Sequence, residues 1–336
     1  MNSKVTTVSA FNEDLNRLSL ILDKYQIHRD DLLELFLAMK YNRLYGGIPN
    51  KTHLKLVDFY CRSSGEVQDV IHSFRLRPAR DTYSDLHLTS DLFTLSSSQF
   101  TDIIHDLSDD GYAQLPCVLS PQICFEILRS SDTFNYSCLQ RIDDCVTRQV
   151  SMGIPKDCSN YIATYALENS LNGCSHIKDI VSDPVILSIV SHYFRCSAEL
   201  KDLSFWHSFP TITAQPETDA AQLFHYDLDE FKWLKLFIFL TDVNLNTGPH
   251  VYIPGTHKTG SKPKELLEFG YARIPDHVME MFFPSNTWHS IVCSAGTIVI
   301  ADTRCYHKGT ALLEGTRSLL SPEFAPSTFS KSFLPQ

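Results

Sequence analysis

The chain has 336 residues, 43% of them hydrophobic and 20% charged, a composition that suits a globular protein with one large core and an appendage or with two domains. A formal net charge of −10 argues against a nucleic-acid binder, and no run reaches the roughly 18 uninterrupted apolar residues of a membrane span. The start, MNSKVTTVSAFNEDLNRL, has no signal-peptide h-region, and ten cysteines without a Cys-x-x-Cys pair read as reduced thiols of a cytoplasmic protein rather than as a zinc site.

The first hundred residues predict helices. Leu15, Leu18, Leu22 and Tyr25 follow a three-to-four spacing. A second helix starts near Asp30 or Asp31, runs through LLELFLAMKYNRLY and stops at Gly46-Gly47, and a third covers HLKLVDFYC. The stretch from Arg75 to Ser98, with its proline and serine cluster, reads as a connector. FTDIIHDLSDD then predicts a helix, GYAQLPCVL a strand opened by Gly111, and SPQICFEILRS a helix with Ser120 as N-cap and Pro121 in the first turn. SDPVILSIVSHYF repeats that design, with Ser182 or Asp183 as the cap. After Leu200 the expectation is strand after strand: DLSFWHSFP, AQLFHYDL, KLFIFLTDV, GPHVYIPG, TWHSIVCSA, TIVIADTR and RSLLSPEF, separated by Gly, Pro, Asn and Asp turns. Short strands at such spacing imply a sandwich or jelly roll.

Residues two apart in a strand point to the same face, so His225 and Asp227 project together with Tyr226 opposite. The best third partner is His307, at the end of TIVIADTR, and Arg317 follows ten residues later, after a turn containing Glu314-Gly315. A strand, a hairpin and a return strand would set Arg317 beside His307. Two histidines and a carboxylate on one face form the facial triad of non-heme iron. Arginine is a bidentate partner for a carboxylate, so the set describes a site for Fe(II) and a dicarboxylate co-substrate such as 2-oxoglutarate.

The ordered motifs resemble the phytanoyl-CoA dioxygenase family of iron- and 2-oxoglutarate-dependent oxygenases. LSDDGYAQLPCVLSPQIC is similar to that family's opening strand and helix, and SDPVILSIVSHYF to the helix before its barrel. HYD resembles its His-x-Asp motif, FIFLTDVNLNTGPHVYIPGTHK its central strand pair, and HKG followed by Arg317 its distal histidine and co-substrate arginine. The similarity spans about residues 100–330. It implies a mainly β fold with flanking helices, a double-stranded β-helix (jelly roll) over 99–336; the α-helical N-terminal segment over 1–98, read from its own spacing, has no counterpart in the resemblance. It implies Fe(II) on His225, Asp227 and His307, 2-oxoglutarate on Arg317, and O2 as the oxidant. The presence of Asp227 implies a hydroxylase type, because the family's halogenating members lack that carboxylate. One departure is Gly296-Thr297, where the family often has Gly-Asp.

Other candidates carry plainer readings. An isolated His-x-Asp is commonly an exposed ion pair worth roughly a kcal/mol or less. Lys235, inside WLKLFIFL, is solvated if it points outward and a second holder of the co-substrate carboxylates if it points inward; the outward reading is the ordinary one. His257 in the PGTH block is a competing third ligand or a supporting residue, and His250 and His289 read as ordinary histidines. Trp206 and Tyr252 line a pocket or belong to the core. The expected activity is hydroxylation of an aliphatic C–H of a small-molecule substrate, with succinate and CO2 as co-products. Two alternatives stay open at this stage: a non-catalytic protein that senses iron or 2-oxoglutarate, and a cupin-like metalloenzyme that does not use 2-oxoglutarate. Substrate identity and assembly are left open.

Overall fold

The computed structural model describes residues 16–45, 50–79, 86–116, 118–142, 145–155, 161–210 and 221–326. Four helices come first: α1 (16–24), α2 (Arg29–Tyr45), α3 (Asn50–Ser63) and α4 (Glu66–Ala79). Asp30 and Asp31 occupy the first turn of α2, where carboxylates favour the positive end of the helix dipole. The predicted stop at Gly46-Gly47 lies outside the described residues. Ser64 and Gly65 adopt left-handed backbone, φ 49° and 89°, and break the chain between α3 and α4. The connector reading of 75–79 is corrected, because these residues complete α4.

These helices do not make a core of their own. Leu22, Leu35, Leu56, Tyr60, Val67 and Ile71 are buried in one cluster with Phe224, Tyr226, Trp233 and Tyr306 from much later in the chain.

Next come α5 (Ser97–Asp109), closed by a capping box between Ser96 and Gln99, and β1 (Tyr112–Gln114). Gly111 between them has φ 85°, and a side chain there would collide with Cys305 Sγ and His257 Nδ1, so both conformation and space require glycine. α6 (Pro121–Ser131) starts on the expected Ser120 cap. Three strands then appear where the sequence suggested none: β2 (Asn135–Ile142), β3 (Cys145–Met152) and β4 (Tyr161–Ala166). α7 (Glu168–Leu171), α8 (Ser175–Val181) and α9 (Pro184–Phe194) follow. Asp183, not Ser182, caps α9, its Oδ1 accepting from the amides of Val185 and Ile186 at 2.9 and 3.1 Å.

The remaining strands are β5 (Ala198–Ser208), β6 (Leu234–Phe239), β7 (His250–Tyr252), β8 (His289–Ser290), β9 (Ile298–Ala301), β10 (His307–Gly309) and β11 (Arg317–Pro326). They form an eight-stranded sheet in the order β1-β9-β6-β11-β5-β4-β2-β3 and a three-stranded sheet in the order β10-β7-β8, with antiparallel pairings throughout. This is the expected mainly antiparallel jelly roll with flanking helices. AQLFHYDL is not the ladder strand predicted. It makes only two single bridges, Phe224 with Ile274 and His225 with His307.

Strand parity assigns the two faces of the large sheet. Leu236, Ile238, Ile298, Ile300, Leu320 and Phe324 join the cluster built with α5, α6, α8 and α9. Phe237, Phe239, Val299, Ala301 and Leu319 point the other way and share a cluster with Tyr252 of the small sheet. The space between the two sheets is therefore the barrel interior. No helix among the described residues is long and apolar enough to cross a membrane.

Candidate metal centre

His225 and His307 face each other as a hydrogen-bonded antiparallel pair. The His225 amide donates to His307 O at 3.0 Å, and the His307 amide donates to His225 O at 2.8 Å. Two residues on, the Asp227 amide donates to Thr303 O at 2.8 Å. Alternation then puts His225 and Asp227 on the barrel side and sends Tyr226 into the cluster shared with α3.

Each imidazole is fixed by a backbone carbonyl. His225 Nδ1 donates to Leu223 O and His307 Nδ1 donates to Cys305 O, both at 2.9 Å. A carbonyl only accepts, so Nδ1 carries the proton and the lone pair sits on Nε2. Both Nε2 atoms turn toward Asp227, His225 at 3.8 Å from Oδ1 and His307 at 3.7 Å from Oδ2. One ligand atom from each of the three residues lies within 4.8 Å of the others. Burial, with the neighbouring cationic groups, holds both histidines below their ordinary range and so neutral, the form that ligates. Burial alone would raise Asp227, but the Lys235 ammonium keeps its carboxyl well below the usual range. Two neutral Nε2 donors and one ionised carboxylate, pre-oriented on one side, fit a divalent iron ion.

Arg317 opens β11 opposite Ser208 of β5 and reaches the same cavity, which measures about 260 Å³. Its guanidinium donates to Gly248 O and to Ser208 Oγ, the latter at 3.2 Å, while Nε is buried with no acceptor. Among the described residues no carboxylate lies within ion-pair distance of it, and burial brings its pKa down to about 10. A buried cation lacking an anion is suited to a carboxylate supplied from outside. The hairpin expected to join His307 to Arg317 is corrected: β10 and β11 belong to different sheets, and the two residues meet across the barrel interior.

Lys235 points inward. It shares the parity of Phe237 and Phe239, and its Nζ donates to Asp227 Oδ2 at 3.0 Å and Asp229 Oδ2 at 2.7 Å, with Glu323 Oε2 at 3.5 Å. The ordinary outward reading is overturned. His257 is not brought to the cluster: its Nε2 lies 3.2 Å from Ser108 O and its Nδ1 3.7 Å from Cys305 Sγ.

The ordinary reading of His250 is corrected, and Arg273 joins the cavity without having been singled out in the sequence. His250 lies opposite Gly309 in the β7–β10 pair, is buried against the Phe237 ring at 4.7 Å, and leaves Nδ1 without a partner. Its parity with Tyr252, which lies opposite His307, was the available signal. Arg273 enters from the loop before the Phe224–Ile274 bridge with NH1 buried and unpaired, and no sequence pattern marks it.

A family model described as Phytanoyl-CoA dioxygenase (PhyH) matches residues 107–313. No curated protein matches the chain. Among solved structures the chain is similar to the epimerase SnoN in complex with Fe3+, alpha ketoglutarate and nogalamycin RO, at 16% identity over 69% of this chain and 85% of that one, TM-score 0.48. It is similar to AviO1 from Streptomyces viridochromogenes Tue57 at 14% identity, 72% and 99% coverage and TM-score 0.46. It is similar to HygX from Streptomyces hygroscopicus with nickel and 2-oxoglutarate bound at 15% identity, 70% and 88% coverage and TM-score 0.49.

Proposed function

This chain belongs to the phytanoyl-CoA dioxygenase family, whose cofactor is Fe(II) and whose co-substrates are 2-oxoglutarate and O2, and on that premise we propose that it hydroxylates an aliphatic C–H of a small organic substrate. In this reading His225, Asp227 and His307 hold the iron and Arg317 holds the distal carboxylate of 2-oxoglutarate. Iron held there would supply O2 activation coupled to decarboxylation of 2-oxoglutarate, with one oxygen atom going to succinate, released with CO2, and the other to the substrate as hydroxyl. The observation that carries the reading is the convergence of two Nε2 lone pairs and one carboxylate beside a buried arginine that has no anion among the described residues.

The chain's own share is positioning. The Leu223 and Cys305 carbonyls hold the imidazole planes, Lys235 restrains one oxygen of Asp227, and Arg317 fixes the direction from which the co-substrate enters. Phe237 and Trp206 line the cavity and limit water. Lys235 serves as a second co-substrate contact once a metal ion shares Asp227 with it. The division at residue 98 separates two parts in sequence, and the helices before it act as the outer wall of the centre through the cluster around Tyr226. A reducing cytoplasmic setting agrees with the free thiols of Cys61, Cys124, Cys138, Cys174, Cys196, Cys293 and Cys305.

The test is calorimetry of 2-oxoglutarate into anaerobic protein, with and without Fe(II), for the parent and for His307→Ala. Iron-dependent binding that the variant loses is the expected result. Binding indifferent to iron, or equal in the variant, would overturn the ligand assignment. A substrate screen by succinate release, with product mass read for one added oxygen, then separates hydroxylation from a rearrangement of unchanged oxygen content.

A further inference from the structure

A second cleft, about 810 Å³ in volume, lies between α4, α5, α9 and the outer loops of the barrel, and among the described residues it shares no lining residue with the metal-centre cavity. Its size is that of a small-molecule site. Among the described residues four cationic side chains line it, Arg195, Lys232, Lys258 and Arg304, against one carboxylate, Asp69. In a chain with a formal charge of −10 this local balance runs against the whole.

Two of the four cations are already matched. Arg304 is buried and holds Asp302 through its Nε and NH2 groups, while NH1 donates to Asp69 Oδ1 at 2.8 Å. Asp69 has its other oxygen bonded to the Thr259 hydroxyl, so the one lining carboxylate is fully engaged. Lys258 pairs with Asp109 at 3.1 Å.

Lys232 and Arg195 are not matched. Neither has a carboxylate within ion-pair distance or a side-chain hydrogen bond among the described residues. Lys232 Nζ rests 4.4 Å from the centroid of the Tyr193 ring, a weaker contact than an ion pair. Burial and the nearby Arg304 lower the Lys232 pKa to about 8, which leaves it mostly charged at neutral pH in a site that repels further cations. Arg195 ends α9 in left-handed backbone, φ 57°, and stands exposed at the mouth.

We propose that this cleft is a binding site for a phosphorylated small molecule, with Lys232 and Arg195 as its anion contacts. A monocarboxylate would neutralise one of the two free cations. A phosphate monoester carries about −1.5 to −2 charges at pH 7 and several acceptor oxygens, and so answers both. The cleft is larger than a bare phosphate needs, and its Ile104 and Tyr193 surfaces leave room for an organic part. Because the lining is separate from the metal-centre cavity, the ligand binds as a second molecule and not as the one that is oxidised.

The test titrates inorganic phosphate, pyrophosphate and ADP into the full chain by calorimetry at low salt. The variants are Lys232→Met, Arg195→Ala and, as a control in the other cavity, Arg317→Ala. Saturable ADP binding is expected, tighter than that of inorganic phosphate and weakened by salt. It should fall about 10-fold or more in Lys232→Met and in Arg195→Ala, since each removes a charge-assisted contact, and persist in Arg317→Ala. Arg195 is exposed and Lys232 has no ion pair to lose among the described residues, so both variants should keep the parent melting temperature; if Lys232→Met fails to fold, Arg195→Ala alone decides. Three outcomes overturn the proposal: no saturable binding, binding unchanged in the folded variants, or binding lost only in Arg317→Ala, which moves it to the co-substrate position. Phosphate as tight as ADP would reject the organic ligand and leave a simple anion site.

Discussion

Tyr60 of α3 packs its ring against Tyr226, the residue between His225 and Asp227, with centroids 5.2 Å apart. The neighbouring Cys61 thiol sits 3.2 Å from the Tyr226 hydroxyl, which itself donates to Gly270 O at 3.0 Å. Lys262 Nζ lies over the rings of Tyr60, Tyr226 and Tyr306 at 5.6, 5.2 and 4.9 Å. Tyr306 precedes His307, so this group presses on the backs of the two segments that carry His225, Asp227 and His307. Tyr60 is 1% exposed, and Tyr60→Ala should cost about 3–5 kcal/mol of stability, the range for deleting a buried aromatic. It should also weaken Ni(II) binding more than Ile127→Ala, a core change on the far side of the large sheet. Urea midpoints and metal calorimetry on the two variants check this; equal metal affinity in both would mean that the helices do not brace the centre.

Removal of a ligand should be more selective. Asp227→Ala is expected to weaken Mn(II) or anaerobic Fe(II) binding by more than the order of 100-fold that supporting residues reach. The fold should persist, because Lys235 keeps Asp229 and Glu323 as partners. Metal should then raise the melting temperature of the parent and leave that of the variant unmoved.

Arg317→Ala should raise the dissociation constant of 2-oxoglutarate about 10- to 100-fold, as expected for loss of a charge-assisted bidentate contact. Arg317→Lys should recover only part of it, since a single ammonium cannot reproduce the planar fork. Metal affinity should stay near the parent value in both. Calorimetry with each ligand in turn reads the difference, and a joint loss of metal and co-substrate would point to a collapsed cavity.

The buried Asp302–Arg304 pair gives a pH prediction. Burial opposes ionisation of Asp302, but Arg304 holds its carboxyl well below the usual value near 3.8. A depressed carboxyl pKa contributes stability that is complete above the unfolded value and is lost as pH falls below it, so the contribution should fade as pH drops below about 4. Asp302→Asn should flatten that part of the stability curve relative to the parent, as measured by urea midpoints at stepped pH. Arg304→Ala strands a buried carboxylate and should cost about 3–5 kcal/mol at pH 7.

Local signals in the sequence carried much of the chain and failed at identifiable places. The Ser120 cap, the α9 cap to within one residue, the Gly111 turn and the spacing of His225 and Asp227 depend on a few adjacent residues and were readable directly. Lys235 was misjudged because LKLFIF is apolar on both faces: Leu236 and Ile238 pack against the helices while Phe237 and Phe239 fill the barrel, and no polar alternation marks which side is inner. β2 to β4 continue the large sheet beyond β5 and carry polar residues such as Arg148 and Gln149 on an edge strand, so no clean pattern announced them. Arg273 reaches the cavity by a long-range placement that no local rule encodes.

The centre draws His307 from the three-stranded sheet, Arg317 from the eight-stranded sheet, and His225 and Asp227 from the segment between β5 and β6. Metal on the two histidines and Asp227 and a dicarboxylate reaching to the arginine would act as a rivet through the sandwich, adding to the side-chain packing and to hydrogen bonds such as that between the Tyr112 hydroxyl and His289 Nδ1 at 2.7 Å. Filling the site is then also a mechanical event: the loaded barrel should unfold as one piece, and proteolysis in the bare protein should begin where the two layers part.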